Sequence, residues 1–203
     1  MTSPEVEAAI TALRAGGLAV IPTDTVYGLA CDPERVESVA RLSEAKGRTS
    51  DQPIALVAAS LAALLGCLPE LRGRDEAVAR ELLPGPYTLV FRNTARRYPL
   101  LTGSRPDTIG IRVPELTGQA KELLETVEAV AATSANLHGG PEPARLEDVP
   151  GELRGIAAAI DGGELPGVPS TVLDLTGAEP SILREGAVPA AEALERVRAG
   201  LAE

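Results

Sequence analysis

Two threonines, an aspartate and a tyrosine follow the first apolar run of the sequence, within the octapeptide PTDTVYGL at residues 22–29. The apolar run, residues 18–21, lies between glycines and a proline, and such a run predicts a buried strand. Hydroxyl groups at the carboxyl end of a strand, with a glycine nearby, build small-molecule sites in open α/β sheets. A polar turn after a strand explains the same residues, so the octapeptide by itself leaves both interpretations open.

Three further polar segments and two arginines occupy similar positions after or within predicted strands and helices. The segments are 46–52, 133–136 and 169–171, and the arginines are Arg112 and Arg184. Each has an ordinary structural explanation, because cations complement helix dipoles, hydroxyls and amides cap turns, and a strand arginine can alternate to solvent. Taken together, basic groups and hydroxyls at several sheet exits predict a cleft for a ligand that carries phosphate.

Several familiar catalytic patterns are absent from the sequence. It contains no GxxxxGK[ST] phosphate loop, no GxGxxG and no GxSxG elbow, and it has one histidine and two cysteines. These three residues are not spaced for a metal site or for nucleophilic catalysis. We therefore expect an enzyme that forms no covalent intermediate and works by positioning substrates and stabilising charge.

The composition indicates a chain with a substantial core and an acidic surface. Of 203 residues, 44% are apolar, and the formal net charge of −10 disfavours general binding of duplex nucleic acid. No run approaches the roughly 18 apolar residues of a membrane span, and the first residues do not resemble a secretory signal. Cys31 and Cys67 indicate reduced thiols in a cytosolic protein. The cations include only two lysines, Lys46 and Lys121.

Apolar periodicity predicts helices alternating with strands early in the chain and a strand-rich segment late in it. Ser3-Pro4 and Asp32-Pro33 are N-cap signals for the first two helices, and the residues between the first strand and Asp32 are predicted as a loop. The last two strands are close enough to form a hairpin. With no linker or repeat, we predict one domain, a mixed α/β sheet with helices packed on it. The predicted strands are 18–21, 54–58, 87–91, 108–113, 127–133, 156–160, 171–175 and 182–184.

Seven short motifs occur in an order that resembles one known family. They are PTDTVYGL, KGR, LPGPYT, GIRVP, TSAN, PSTVLD and LREG. The sequence is similar to the YrdC/TsaC family, the L-threonylcarbamoyladenylate synthases, over residues 10–187. The resemblance implies a single-domain open twisted α/β sheet with a concave cleft. It also implies the first step of N6-threonylcarbamoyladenosine synthesis in tRNA, in which L-threonine, bicarbonate and ATP give threonylcarbamoyl-AMP and pyrophosphate.

The resemblance implies a role for individual residues in binding threonine. Thr25 and Ser170 resemble threonine ligands, and Arg112 would hold the threonine carboxylate as a two-pronged partner. Ala132 would contribute only its backbone.

The resemblance implies a second group of residues for ATP and catalysis. Lys46, as a compact charge on phosphate or carbamate, forms the predicted catalytic pair with Arg48. Mg²⁺ is expected with ATP, bound by no protein side chain, and a separate complex would transfer the product to tRNA. The predicted ATP ligands are Arg48, Gln52, Thr108, Ser134, Arg184 and Asn136, the last of which would shape the nucleotide loop.

The sequence departs from the family pattern in several places. Glu142 stands where the family has a serine near the nucleotide, and it would repel phosphate if it pointed inward. Val57 stands where longer relatives can carry a threonine-contacting histidine. Those relatives also have a second, C-terminal domain, which is not expected here. The sequence leaves open whether a loop closes over the site, and residues 137–151, rich in glycine and proline, are the best candidate for such a lid.

A function from another class remains as the alternative. It is a non-catalytic RNA-binding or ribosome-assembly module that uses the same concave face. Arg96, Arg97 and Arg105 allow RNA contact, whereas the overall acidity of the chain makes such contact weak.

Overall fold

One mixed β-sheet organises the molecule. The computed structural model describes residues 2–49 and 51–201, and within them nine strands form a sheet in the order β7-β1-β2-β6-β3-β5-β4-β8-β9. The predicted α/β class is therefore confirmed. The strands are β1 Leu18–Ile21, β2 Gly28–Cys31, β3 Ala55–Ala58, β4 Tyr87–Arg92, β5 Thr108–Arg112, β6 Ala129–Ser134, β7 Ala157–Ala159, β8 Thr171–Asp174 and β9 Ser181–Arg184.

Seven α-helices flank this sheet in the described residues, and local signals explain where several begin. The Ser3 hydroxyl accepts a hydrogen bond from the Val6 N–H (3.3 Å), with Pro4 at the first helical position. Among the described helices, none has the length and apolar character needed to cross a bilayer. The helices are α1 Pro4–Arg14, α2 Val36–Ala45, α3 Leu61–Cys67, α4 Arg74–Leu82, α5 Gly118–Val127, α6 Gly151–Arg154 and α7 Ala190–Gly200.

Two local predictions were wrong. The Asp32 carboxylate accepts the Glu34 N–H (2.9 Å) in a turn, so helix α2 begins three residues later than the cap signal indicates. The loop predicted after β1 contains strand β2, which pairs antiparallel with both β1 and β6. All four residues of β2 are buried. A glycine-containing segment that is buried on both faces shows no apolar alternation, and periodicity therefore gave no signal.

The two faces of the sheet are covered differently. On one face, α4 and α7 pack against each other and share a core with Leu56, Leu89 and Ile111. On the other face, α1 and α5 share a smaller core with Ile21, Val57 and the strands around them. Because α1 packs on β1 and β7 and α5 packs on β6, the strands β5, β4, β8 and β9 are left open on that face.

The predicted hairpin of β8 and β9 is confirmed, since the two strands pair antiparallel. A buried threonine fixes the chain that follows it. The Thr171 hydroxyl donates to the Val188 carbonyl (2.6 Å) and accepts from the Gly186 N–H (3.1 Å) and the Val188 N–H (3.0 Å). These bonds tie β8 to the segment after β9.

Replacing this hydroxyl by a methyl group is expected to destabilise the fold. Thr171→Val keeps the shape but removes the hydroxyl that pairs with the buried Val188 N–H and carbonyl and with the partly buried Gly186 N–H, which costs about 2–4 kcal/mol in the free energy of unfolding. Urea denaturation measures this cost. Thr126→Val is the control, because the exposed Thr126 bonds only to the carbonyl of its own helix turn. Equal stabilities of the two variants would contradict the assignment.

Candidate active site

A cavity of about 380 Å³ opens on the α1 and α5 face of the sheet, over strands that these two helices leave uncovered and over the adjoining parts of β3 and β6. Its floor is small and apolar, formed by Ala55, Gly110 and Ala132 from three strands. Polar and cationic side chains surround this floor. A ligand could therefore lie flat on the sheet while charged groups hold it from the sides.

The twofold period of β5 decides which of its side chains face the cavity. Thr108, Gly110 and Arg112 line the cavity, whereas Ile109 and Ile111 point into the core of the opposite face. The arginine therefore lies on the open face of the sheet. Its side chain is only 11% exposed, so it does not alternate to solvent.

The guanidinium of Arg112 is held on one side by the loop after β1. Its Nη2 donates to the Asp24 carboxylate, to the Thr25 hydroxyl (2.6 Å) and to the Thr23 hydroxyl (3.4 Å). Its Nε is buried and has no hydrogen-bond partner. Burial lowers the pKa of Arg112 from its usual value, and the Asp24 carboxylate opposes this shift. The protein thus fixes one nitrogen of the fork and leaves a donor for a ligand.

The octapeptide after β1 is both a turn and part of the site. The Thr23 hydroxyl accepts the N–H groups of Thr25 and Val26 (both 3.3 Å) and donates to the Val26 carbonyl (2.7 Å). Tyr27 has a structural role instead, because its hydroxyl donates to the Gly163 carbonyl (2.9 Å) away from Arg112. Burial raises the pKa of Tyr27.

A buried lysine lies at the end of α2, beside the TSAN segment. Lys46 is 3% exposed, and its Nζ donates to the Ser134 carbonyl and to Asn136 Oδ1 (2.9 Å). The Ser134 hydroxyl donates to the same Asn136 oxygen (2.7 Å). Burial, together with the nearby Arg48 charge, lowers the pKa of Lys46 to about 8, while the Glu142 carboxylate opposes this shift. At neutral pH this group is a cation.

Arg48 approaches the cavity from the loop after α2 and is fixed by three acceptors. Its Nε donates to Gln52 Oε1 (2.8 Å), its Nη1 to the Thr133 hydroxyl (2.9 Å) and its Nη2 to the Pro53 carbonyl (3.1 Å). Burial lowers the pKa of Arg48. Gln52 thus contacts the arginine, and its role as a direct ATP ligand stays a prediction.

The hairpin supplies the remaining wall. Arg184 on β9 donates from Nη2 to the carbonyl (2.9 Å) and the hydroxyl (3.2 Å) of Ser170, which precedes β8. The Ser170 hydroxyl also lies 2.8 Å from the Thr88 hydroxyl on β4. These bonds join the ends of three strands at one side of the cavity.

The structure therefore brings the predicted site residues together. Thr25 contacts Arg112, Gln52 contacts Arg48, and Lys46 and Asn136 contact Ser134. The other predicted residues line the cavity directly: Arg48, Thr108, Arg112, Ala132, Ser134, Ser170 and Arg184.

Sequence reasoning missed several polar groups of the same cavity. Asp24 pairs with Arg112, and Thr133 with Arg48. Both lie inside motifs that were recognised, so adjacency to a predicted ligand was an available signal. Val57 and Glu142, the two departures from the family pattern, both line the cavity as well. Further unpredicted lining residues are Thr23, Thr88, Thr102, Ser104 and Arg105.

The described residues contain no group of three or more His, Cys, Asp or Glu side chains that could hold a metal ion. A cation in this cavity would therefore depend on ligands from a substrate. Such a dependence is usual for Mg²⁺, which combines one or two carboxylates with phosphate oxygens and water.

Comparison with known proteins agrees with this geometry. The Sua5_yciO_yrdC family model, described as "Telomere recombination", matches residues 11–186. Threonylcarbamoyl-AMP synthase of Pyrococcus abyssi is 39% identical over 189 residues, which cover 91% of this chain and 54% of that protein. Putative threonylcarbamoyl-AMP synthase of Mycobacterium tuberculosis is 36% identical over 89% of this chain and 83% of that protein.

A solved structure gives the same assignment. P. abyssi Sua5 complexed with L-threonine superposes with a TM-score of 0.85 at 36% identity, over 94% of this chain and 56% of that one. The chain spans about half the length of the P. abyssi relative and most of the mycobacterial one. Over that span the fold, the family model and the sequence identity agree, and the chain belongs to the Sua5/YciO/YrdC family.

Proposed function

We propose that this chain is an L-threonylcarbamoyladenylate synthase, which forms threonylcarbamoyl-AMP and pyrophosphate from L-threonine, bicarbonate or CO₂, and ATP. One observation carries the proposal. Arg112, with an unpartnered buried Nε, lines the same cavity as Arg48, Ser134 and Arg184. A carboxylate and a polyphosphate could thus be held side by side. The names of the P. abyssi and M. tuberculosis relatives support the same activity.

The chemistry requires alignment more than it requires a protein nucleophile. The threonine amine adds to CO₂ to give a carbamate, whose oxygen attacks the α-phosphorus of ATP while pyrophosphate leaves. Arg112 and Thr25 would orient threonine, and Lys46 and Arg48 would stabilise the charge that develops on carbamate and phosphate. Both reacting groups come from substrates, which agrees with a cavity lined by cations and hydroxyls.

Mg²⁺ would accompany ATP in this reaction. The cavity fits a hard cation, because the Glu142 carboxylate in its wall has a buried oxygen without a partner. When bound, the ion supplies positive charge that makes pyrophosphate a better leaving group.

The product carries an activated carbonyl that an amine must attack next. We propose that the consumer is a tRNA threonylcarbamoyl-transfer complex and that the reaction takes place in the cytoplasm. We further propose that residues 10–187 suffice as one catalytic domain, with residues 137–151 as its lid. The presence of Glu142 from this segment in the cavity wall supports the lid.

The RNA-binding alternative is not favoured. Arg97 Nε is paired with Glu70 (2.9 Å) and Arg105 Nη1 with Asp174 (3.2 Å), so these arginines offer less charge to an RNA backbone. The net charge of −10 also opposes association with RNA.

Pyrophosphate release tests the proposal. We expect release to require ATP, bicarbonate and L-threonine together, and mass spectrometry with labelled threonine to find the label in a threonylcarbamoyl-AMP product. Release that does not depend on threonine would reject the substrate assignment. Binding of RNA at physiological salt without turnover would favour the alternative.

A further inference from the structure

Two buried side-chain polar atoms lack a hydrogen-bond partner in the described part of the chain, and both belong to residues that line the cavity. They are Arg112 Nε and Glu142 Oε2. Buried polar atoms are nearly always paired, so each exception needs an explanation. The arginine donor is explained by a ligand carboxylate. The carboxylate oxygen requires a ligand of the opposite kind, a donor or a cation.

The neighbouring protein cations do not fill this requirement. Glu142 is near enough to affect the charge of Lys46, yet Lys46 Nζ donates to Ser134 and Asn136 instead. Arg48 uses Nε and both Nη atoms on other acceptors. Among the described contacts, no ion pair includes Glu142. Glu142 therefore acts electrostatically on Lys46 without a direct bond to it.

The position of this carboxylate matters for a polyphosphate ligand. Ser134 and Glu142 line the same cavity. Because Glu142 acts electrostatically on Lys46, which bonds to Ser134, a phosphate near Ser134 would also approach Glu142. Two negative groups in a partly buried site repel each other strongly. A divalent cation between the phosphate and the carboxylate would attract both groups and so offset their mutual repulsion. Mg²⁺ is the cation that takes one protein carboxylate together with phosphate oxygens and water.

We propose that the Glu142 carboxylate binds the magnesium ion that accompanies ATP. This inference rests on the ATP-dependent reaction proposed above and adds to it a protein ligand for the metal. The sequence predicts that no protein side chain binds the ion, and the inference replaces that expectation. It also explains how a carboxylate can stand in the wall of a nucleotide site. Metal-free ATP should be rejected by the wild-type chain, and Mg-ATP accepted.

Glu142→Gln tests the proposal, because it removes the charge and keeps the shape. Binding of an ATP analogue with a methylene group between the α- and β-phosphorus is measured by calorimetry, with Mg²⁺ and with EDTA. In EDTA, we expect the variant to bind the analogue about tenfold more tightly than wild type, since the repulsion is gone. Electron paramagnetic resonance of Mn²⁺ in the complex should show metal affinity lowered about 10- to 100-fold.

Glu125→Gln is the matched control, with the same change of charge on a side chain of α5 that is 56% exposed and lies outside the proposed lid. It should behave as wild type in both measurements. The proposal is overturned if Glu142→Gln has the Mg²⁺ dependence and the Mn²⁺ affinity of wild type. Such an outcome is expected if Glu142 bonds to Lys46 in the complex instead of binding the metal ion. If no form binds the analogue under any condition, the proposed function fails as well, and the two failures are thereby distinguished.

Discussion

Arg112→Lys is expected to raise the dissociation constant of L-threonine by about 100-fold and to leave that of ATP within about threefold. The lysine keeps a positive charge for the Asp24 carboxylate but cannot present a planar fork. It therefore loses the charge-assisted bond that the unpartnered Nε would make with the threonine carboxylate, which contributes roughly 1.5–3 kcal/mol. Calorimetric titration with threonine and with ATP measures the two constants.

Lysine is a sharper substitution here than alanine. The Asp24 side chain is only 10% exposed, and its pairing with Arg112 satisfies it. Arg112→Ala would leave that carboxylate buried and unpaired, which costs about 3–5 kcal/mol in the free energy of unfolding. A loss of threonine binding in that variant could then come from partial unfolding. Arg80→Lys, at a side chain of α4 that is 59% exposed, is the control. An unchanged threonine constant in Arg112→Lys, or equal losses for both ligands, would reject the role of Arg112.

The general fold follows from the sequence because apolar runs and breakers mark most of the strands. The period of two also separates the side chains of β5 into two sets, with Arg112 in one and Ile111 in the other. Periodicity does not say which set faces a cavity. The exposed set is decided by which strands α1 and α5 pack against, and this packing joins segments that are far apart in the sequence.

A site residue can be predicted from the sequence when it lies in a recognisable motif. It cannot be predicted when its role depends on a contact with a residue far away in the sequence. Arg48 and Ser134 were recognised from their motifs, and both line the cavity. The pairing of Asp24 with Arg112 joins residues 88 positions apart, and no local pattern encodes it. The inward direction of Glu142 depends in the same way on how its loop is anchored, because the following Pro143 carbonyl accepts the Tyr27 N–H (3.0 Å).

Lys46→Met is expected to slow pyrophosphate release by about 10²–10³-fold, the usual effect of removing one group that stabilises transition-state charge. The chain offers a matched control in its other lysine. Lys121→Met makes the same chemical change at a side chain that is 55% exposed and pairs only with Glu125. It should release pyrophosphate at the rate of wild type. A similar rate in Lys46→Met would remove Lys46 from the reaction.

The pH dependence gives a second, independent measure of Lys46. Its folded-state pKa, about 8, lies below the ordinary 10.5, so the folded chain binds this proton more weakly than the unfolded chain does. The contribution of Lys46 to stability is therefore unfavourable and constant below pH 8, and it is relieved as pH rises from about 8 to about 10.5. Nearby phosphate raises the pKa again, because it favours the charged form. Binding of ATP above pH 8 should accordingly take up a proton in the wild type and in Lys121→Met. Calorimetry in buffers of different ionisation enthalpy measures this uptake, and its persistence in Lys46→Met would assign the titration to another group.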